Sequence, residues 1–145
     1  MLHRVLYVST AAHRFDEPSV ARLAERSSAK NRLLDVTGVL IYGRGQFMQL
    51  LEGPKDNVRA VMRTINEDPR HFNILTVIDE PTSVRLFDSW GMGHLAIPEP
   101  TSDSDQEQTA DAERPCSAIA AMLESGPGDV IFGILRHFRD KAAVA

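Results

Sequence analysis

The chain has 145 residues and a mass of 16.1 kDa, the size of one ordinary domain. Hydrophobic residues make up 43% and charged residues 25%, which excludes wholesale disorder, and no apolar run nears the ~20 residues of a bilayer span. Sixteen basic and twenty acidic residues leave a net charge of −4, the opposite of the basic stripe of a nucleic-acid binder. The single cysteine, Cys116, excludes an internal disulfide and a Cys-rich zinc site. The segment after Met1 is too short for a signal peptide, so the expectation is a cytoplasmic protein with neither membrane nor nucleic-acid partners.

Residues 3–9 (HRVLYVS) read as a first strand, rich in Val, Leu and Tyr. Asp16-Glu17-Pro18 then opens a helix, with Asp16 as N-cap and Pro18 in the first turn. Val20, Leu23 and Ala24 give that helix its apolar stripe, and it ends near Asn31. Strands over 35–42 and 46–52 flank Gly43-Arg44-Gly45, a tight turn that makes them a hairpin. A second helix follows Gly53-Pro54, carries Val58, Val61, Met62 and Ile65, and stops at Asp68-Pro69. Residues 73–79 form a fourth strand and 86–95 a weaker fifth. The order βαββαββ, with two helices on one sheet face, predicts a ferredoxin-like α+β sandwich with C-terminal amphipathic helices.

Residues 1–97 therefore form the main domain. Residues 98–113 carry six acids and no bases, a linker that cannot bury enough surface to order itself. In the tail, 114–145, Ile119, Met122 and Leu123 make one helical stripe and Val130, Ile131, Ile134, Leu135 and Phe138 another. The second stripe must bury itself on the open sheet face, a second copy or a partner, the first being the plainest choice.

Polar residues inside apolar strands point to function. The two-residue strand period puts Val5, Tyr7 and Ser9 on one face and Leu6 and Val8 on the other. Gln49 sits inside the continuous apolar run Phe47–Leu51, the pattern of a strand buried on both faces. A buried phenol or amide costs a few kcal/mol without a partner, so Tyr7 and Gln49 bond to each other, to a loop backbone or to a shared ligand. A planar polar ligand under the two helices would satisfy both, together with Ser9 and Asn31. Trp90 and Met92, two apart, fall on one face of the weak last strand, where packing alone explains them. The glycines between and beyond them suggest a strand able to shift. His3, His13, His71, His94 and His137 show no metal-ligand spacing.

The strings Leu6-Tyr7-Val8-Ser9-Thr10, Val36-Thr37-Gly38-Val39-Leu40, Phe47-Met48-Gln49-Leu50-Leu51-Glu52-Gly53-Pro54, Asp68-Pro69-Arg70-His71 and Phe87-Asp88-Ser89-Trp90-Gly91-Met92, with Asn31 before the second of them, resemble the BLUF family. These are blue-light sensors that bind flavin, usually FAD, and the resemblance covers about residues 2–97. It implies the ferredoxin-like fold, in agreement with the pattern above. It also implies that Tyr7 donates an electron to the photoexcited flavin and that Gln49 bridges the phenol and the ring edge. Asn31 would bond the ring's carbonyl edge and Phe47 would pack near the ring, with Asp68, Arg70 and His71 close by. Ser9 would lie beside the Tyr–Gln pair, and Trp90 and Met92 would pass the signal outward. The chain departs from the family at Lys30, where relatives often have Asn or His, and Lys30 is a candidate cofactor contact. It departs again at Thr64, where some members carry an arginine, with Arg63 one position off.

The resemblance thus implies a non-enzymatic bacterial photoreceptor with a non-covalent flavin, FAD first and FMN or riboflavin as alternatives. It would signal to an unidentified downstream protein, and a homo-oligomer is compatible with this reading. Two other readings stand beside it: a dark flavin enzyme or carrier, and a ferredoxin-like flavin-binding or dimerisation module without photoactivity.

Overall fold

The computed structural model describes residues 2–87, 91–97 and 130–143, with side chains as far as residue 140. In chain order the elements are β1 (Leu2–Ala11), α1 (Glu17–Leu33), β2 (Thr37–Gly43), β3 (Gln46–Pro54), α2 (Lys55–Asn66), β4 (His71–Thr82), β5 (Gly93–Ala96) and α3 (Val130–Ala143). The sheet order is β4-β1-β3-β2-β5, antiparallel throughout except for β2 with β5. This is the ferredoxin-like α+β sandwich, with its two central strands, β1 and β3, paired Tyr7 to Gln49.

Local chemistry sets the boundaries. The Asp16 side chain accepts from the Ser19 N–H at 2.9 Å and so caps α1, with Pro18 in the first turn. The β2–β3 hairpin closes on Arg44 and Gly45, both with positive φ (53° and 76°), the mirror-image turn whose twist matches the strands. The Asn31 carbonyl accepts from Leu34 and Val36 N–H at 3.0 and 2.9 Å, which turns the chain out of α1 and fixes where Asn31 sits.

Strand alternation sorts the core into two layers. Val5, Val36, Leu40, Phe47, Leu51 and Met92 lie under α1 and α2, with Val20, Ala24 and Val58 from the helices. Leu6, Val39, Ile41, Met48 and Leu50 lie on the other face, where Ile131, Phe132 and Leu135 of α3 cover them. α3 therefore packs on its own sheet, with Ile134 and Phe138 at its margin. Phe132 joins the buried set, whereas Val130 is 70% exposed, because docking on the sheet rotates the buried arc one step from the expected stripe.

Three expectations need correcting. β4 runs to twelve residues instead of seven, since as an edge strand it needs only one partner and tolerates Pro81 near its end. The last strand is Gly93–Ala96, not 86–95. The chain must pass from the α3 face, where Phe87 is buried, to the helix face, where Met92 is buried, before it can pair with β2. Met92 consequently lies in a bend ahead of β5 and not on it. Trp90, Asp88, Ser89, the linker 98–113 and the stripe Ile119–Leu123 lie outside the described residues.

Candidate functional site

A cavity of about 230 Å³ opens between α1, α2 and the central strands. At about 30 Å³ per water it has room for about eight waters, a volume on the scale of a fused aromatic ring system. Its walls are apolar: Leu23 and Leu34 on one side, Val61 and Ile65 on the other, Leu40 and Phe47 below. Phe47 is held by edge contacts to Phe15 and a tilted contact to Tyr42, with centroids 5.2 and 4.9 Å apart.

Polar groups converge on this apolar slot. The Tyr7 hydroxyl donates to Gln49 Oε1, across the β1–β3 pair and fully buried. Burial, with the Asp68 charge added, pushes the Tyr7 phenol far above the ordinary tyrosine range, so it stays protonated. The other end of the Gln49 amide, Nε2, donates to Met92 Sδ at 3.2 Å. Gln49 thus joins a phenol and a thioether, and rotating its amide exchanges donor for acceptor at both ends.

Asn31 reaches in from the last turn of α1. Its Nδ2 donates to the Gly91 carbonyl at 3.4 Å, while Oδ1 has no partner among the described residues although the residue is only 4% exposed. Asn31 lines the cavity, so its amide is placed to accept from an N–H of a bound ligand. Gly91 is required here: a Cβ would lie 2.5 Å from Ser28 Oγ and 2.8 Å from the Ser28 carbonyl, so only glycine lets this segment seat against α1.

At the far wall Arg70 and Asp68 form a closed pair, Nη2 to Oδ2 at 2.5 Å and Nε to Oδ1 at 2.9 Å. The Arg70 guanidinium holds the Asp68 carboxyl below the usual range. His71 Nε2 faces the Ile65 carbonyl at 3.0 Å; a carbonyl only accepts, so Nε2 donates there, while Nδ1 pairs with the Ser9 hydroxyl at 2.7 Å. Both His71 nitrogens are engaged within the protein, so towards the cavity the ring offers surface more than hydrogen bonds. Tyr7, Lys30, Asn31, Phe47, Gln49, Asp68, Arg70 and His71 all line the cavity, with Ser9 one bond behind His71 and Met92 one bond behind Gln49.

The family profile described as "BLUF: Sensors of blue-light using FAD" matches residues 2–93, more than half of the chain. The chain belongs to the BLUF family. It is 38% identical over 95 residues to the blue light- and temperature-regulated antirepressor BluF of Escherichia coli (strain K12), covering 63% of this chain and 23% of that protein. It is 33% identical over 86 residues to photoactivated adenylate cyclase subunit beta of Euglena longa, covering 59% of this chain and 10% of that protein. The chain thus spans less than a quarter of either curated relative. Among solved structures, the dark state of BlrB, a BLUF protein, matches with a TM-score of 0.62 at 30% identity, over 66% of this chain and 72% of that one. Klebsiella pneumoniae BlrP1 with FMN and cyclic diGMP matches with a TM-score of 0.74 at 26% identity, over 97% of this chain and 35% of that one.

The family to which the chain belongs is one of flavin-using blue-light sensors. Among the described residues no helix is long and apolar enough to cross a membrane, and no cluster of His, Cys, Asp and Glu could hold a metal ion. Thr64, at the departure noted on α2, also lines the cavity, its hydroxyl donating to the Ala60 carbonyl at 3.4 Å.

One buried group went unremarked in the sequence. Glu52, at the end of the LLE run, is fully buried and accepts from the Leu86 and Phe87 N–H at 2.7 and 3.0 Å. Burial pushes its carboxyl up, against those two N–H groups and the Arg4 and Arg85 charges. The signal that could have found it is a carboxylate inside a strand otherwise buried on both faces.

Proposed function

We propose that this protein is a cytoplasmic blue-light receptor that binds FAD in the α1–α2 cavity and signals to a partner protein. The reading rests on one observation above all: a buried, protonated phenol already bonded to a buried glutamine amide at the floor of a cavity with a donor-seeking asparagine.

Bound flavin supplies a blue-light chromophore whose excited state is a strong one-electron oxidant. Tyr7 is the electron and proton source. Loss of an electron makes a phenol strongly acidic, and the existing bond to Gln49 Oε1 gives its proton a path. Gln49 then turns or tautomerises, which reverses donor and acceptor toward Tyr7 and removes the Nε2 bond to Met92. Asn31 and Lys30 would hold the ligand's polar groups and Phe47 would give it apolar surface, with the Arg70–Asp68 pair and His71 in the same cavity wall. Ser9, Met92 and Trp90 carry the altered bonding outward. Apolar walls exclude water, so the two amide orientations compete within a packed, two-state core.

The antirepressor and cyclase relatives support light-gated contact with a partner as the output. The test is the absorption spectrum of the purified chain in the dark, after blue light and during recovery, with chromatography of the released cofactor. Bound FAD and a small red shift that reverses without bleaching are expected. Bleaching, or bound flavin indifferent to light, would contradict the photoreceptor reading in favour of a carrier. A colourless chain that refuses added flavin would leave only a ferredoxin-like module.

A further inference from the structure

The α1–α2 cavity, about 230 Å³, has the size of a fused ring system, so the phosphate of a flavin nucleotide falls to its rim. Arg70 and Lys30 are the lysine and arginine side chains that line it. Arg70 is occupied, since its Nε and Nη2 both go to the Asp68 carboxylate. α2 brings Ala60, Val61, Thr64 and Ile65 to its side of the opening, none of them charged, and Thr64 gives its hydroxyl to the Ala60 carbonyl. The uncompensated charge at the mouth therefore comes from α1.

Arg22, Arg26 and Lys30 are spaced four residues apart on α1 and form one row along the helix, with neighbouring Cβ atoms about 5–6 Å apart. Like charges at this spacing repel, and acids three or four residues away would relieve them. The positions within that reach of Arg26 and Lys30 hold Arg22, Leu23, Ala29, Ser27, Leu33 and Leu34, and no acid. Of the acids of α1, Glu17 is in the first turn and Glu25 is turned toward β5, where its charge acts on His94. Arg22 has Ser19 Oγ at 3.2 Å and the Asp16 charge near it. Arg26 and Lys30 are exposed, and their side chains have neither an ion pair nor a hydrogen bond among the described residues. Arg26 stands between Leu23 and Lys30 on the helix surface, both of them cavity residues.

We propose that Arg26 and Lys30 form a phosphate subsite at the cavity mouth, through which this chain prefers phosphorylated flavins to riboflavin. This rests on the flavin reading above and adds the residues that choose among flavins. Lys30 supplies a point charge beside the ring cavity, and Arg26 a planar fork of N–H donors suited to two phosphate oxygens. A phosphate held between them also cancels the repulsion along the row.

The test is a competition on the flavin-loaded full chain. It is dialysed to equilibrium against an equimolar excess of riboflavin and FMN, which differ only in the phosphate, and the retained flavins are separated by chromatography. FMN is expected to exceed riboflavin by about tenfold, the scale of two exposed charge contacts, and the excess should shrink as NaCl is added. In the double variant Arg26→Gln, Lys30→Gln the two flavins are retained equally, and in Arg26→Gln alone the excess falls partway. Arg63→Gln, which removes an exposed base of α2 that does not line the cavity, keeps the full excess. Equal retention of FMN and riboflavin by the unmodified chain would overturn the inference alone. So would an FMN excess that survives the double substitution, a double variant that loses both flavins alike, or an excess that Arg63→Gln removes equally. An unmodified chain that retains neither flavin would overturn the flavin reading and this inference with it.

Discussion

The two faces of the sheet are built from alternate residues of the same strands, yet they do different work. Under α1 and α2 the strands present Tyr7, Gln49 and Ser9 among apolar neighbours, and a cavity is left open. Under α3 they present Leu6, Met48 and Leu50, and the interior is filled. One face keeps polar groups whose hydrogen bonds can be exchanged; the other, apart from the Glu52 carboxylate bonded to the Leu86 and Phe87 N–H groups, keeps packed apolar contacts. A photosensor needs both, a bistable bond network and a rigid body for it to push against.

The difference breaks most sharply at Tyr7. Tyr7→Phe removes the donor and barely changes volume, so the variant should bind flavin and lose the light-induced shift completely, as difference spectroscopy would record. Leu50→Ala, one residue from Gln49 in β3 but on the opposite face and fully buried, should do the reverse. A loss of about 2–5 kcal/mol in denaturant unfolding is expected from the vacated volume, with the red shift retained in the folded fraction. If Leu50→Ala abolished the shift at full stability, the division of labour between the faces would fail.

A pH series sharpens the same contrast. The ordinary tyrosine pKa is 10.0 and burial raises that of Tyr7 in the fold, so the unfolded chain releases this proton first. Stability owed to the buried phenol is therefore intact below about pH 10 and falls above it, by up to about 1.4 kcal/mol per pH unit. Urea titrations at rising alkaline pH should show the unmodified chain losing more than Tyr7→Phe; parallel losses would contradict a buried neutral phenol. The smallest effect belongs to Lys30, exposed at the cavity mouth. Lys30→Met should weaken flavin binding by less than about tenfold by fluorescence titration, the scale of an exposed charge contact.

Much of this was legible in the sequence because the evidence was local. Alternation in Val5–Ser9 gave the two faces, Asp16 and Pro18 gave the start of α1, and Gln49 stood out as an amide within an apolar strand. What escaped depends on contacts between distant segments. Glu52 looks like a polar residue closing a strand, and only the folding of Leu86–Phe87 over it makes it a buried clamp. The buried arc of α3 is set by docking, which favours Phe132 over Val130. The last strand misled because the run through Phe87 and Met92 spans a crossing between faces, where no single period applies.

The central claim is that Gln49 is the switch between Tyr7 and the ligand. The most direct test is the light-minus-dark absorption spectrum of flavin-loaded Gln49→Leu beside the unmodified chain. The account predicts bound flavin in both and a reversible red shift in the unmodified chain alone. A normal, reversible shift in Gln49→Leu would contradict it.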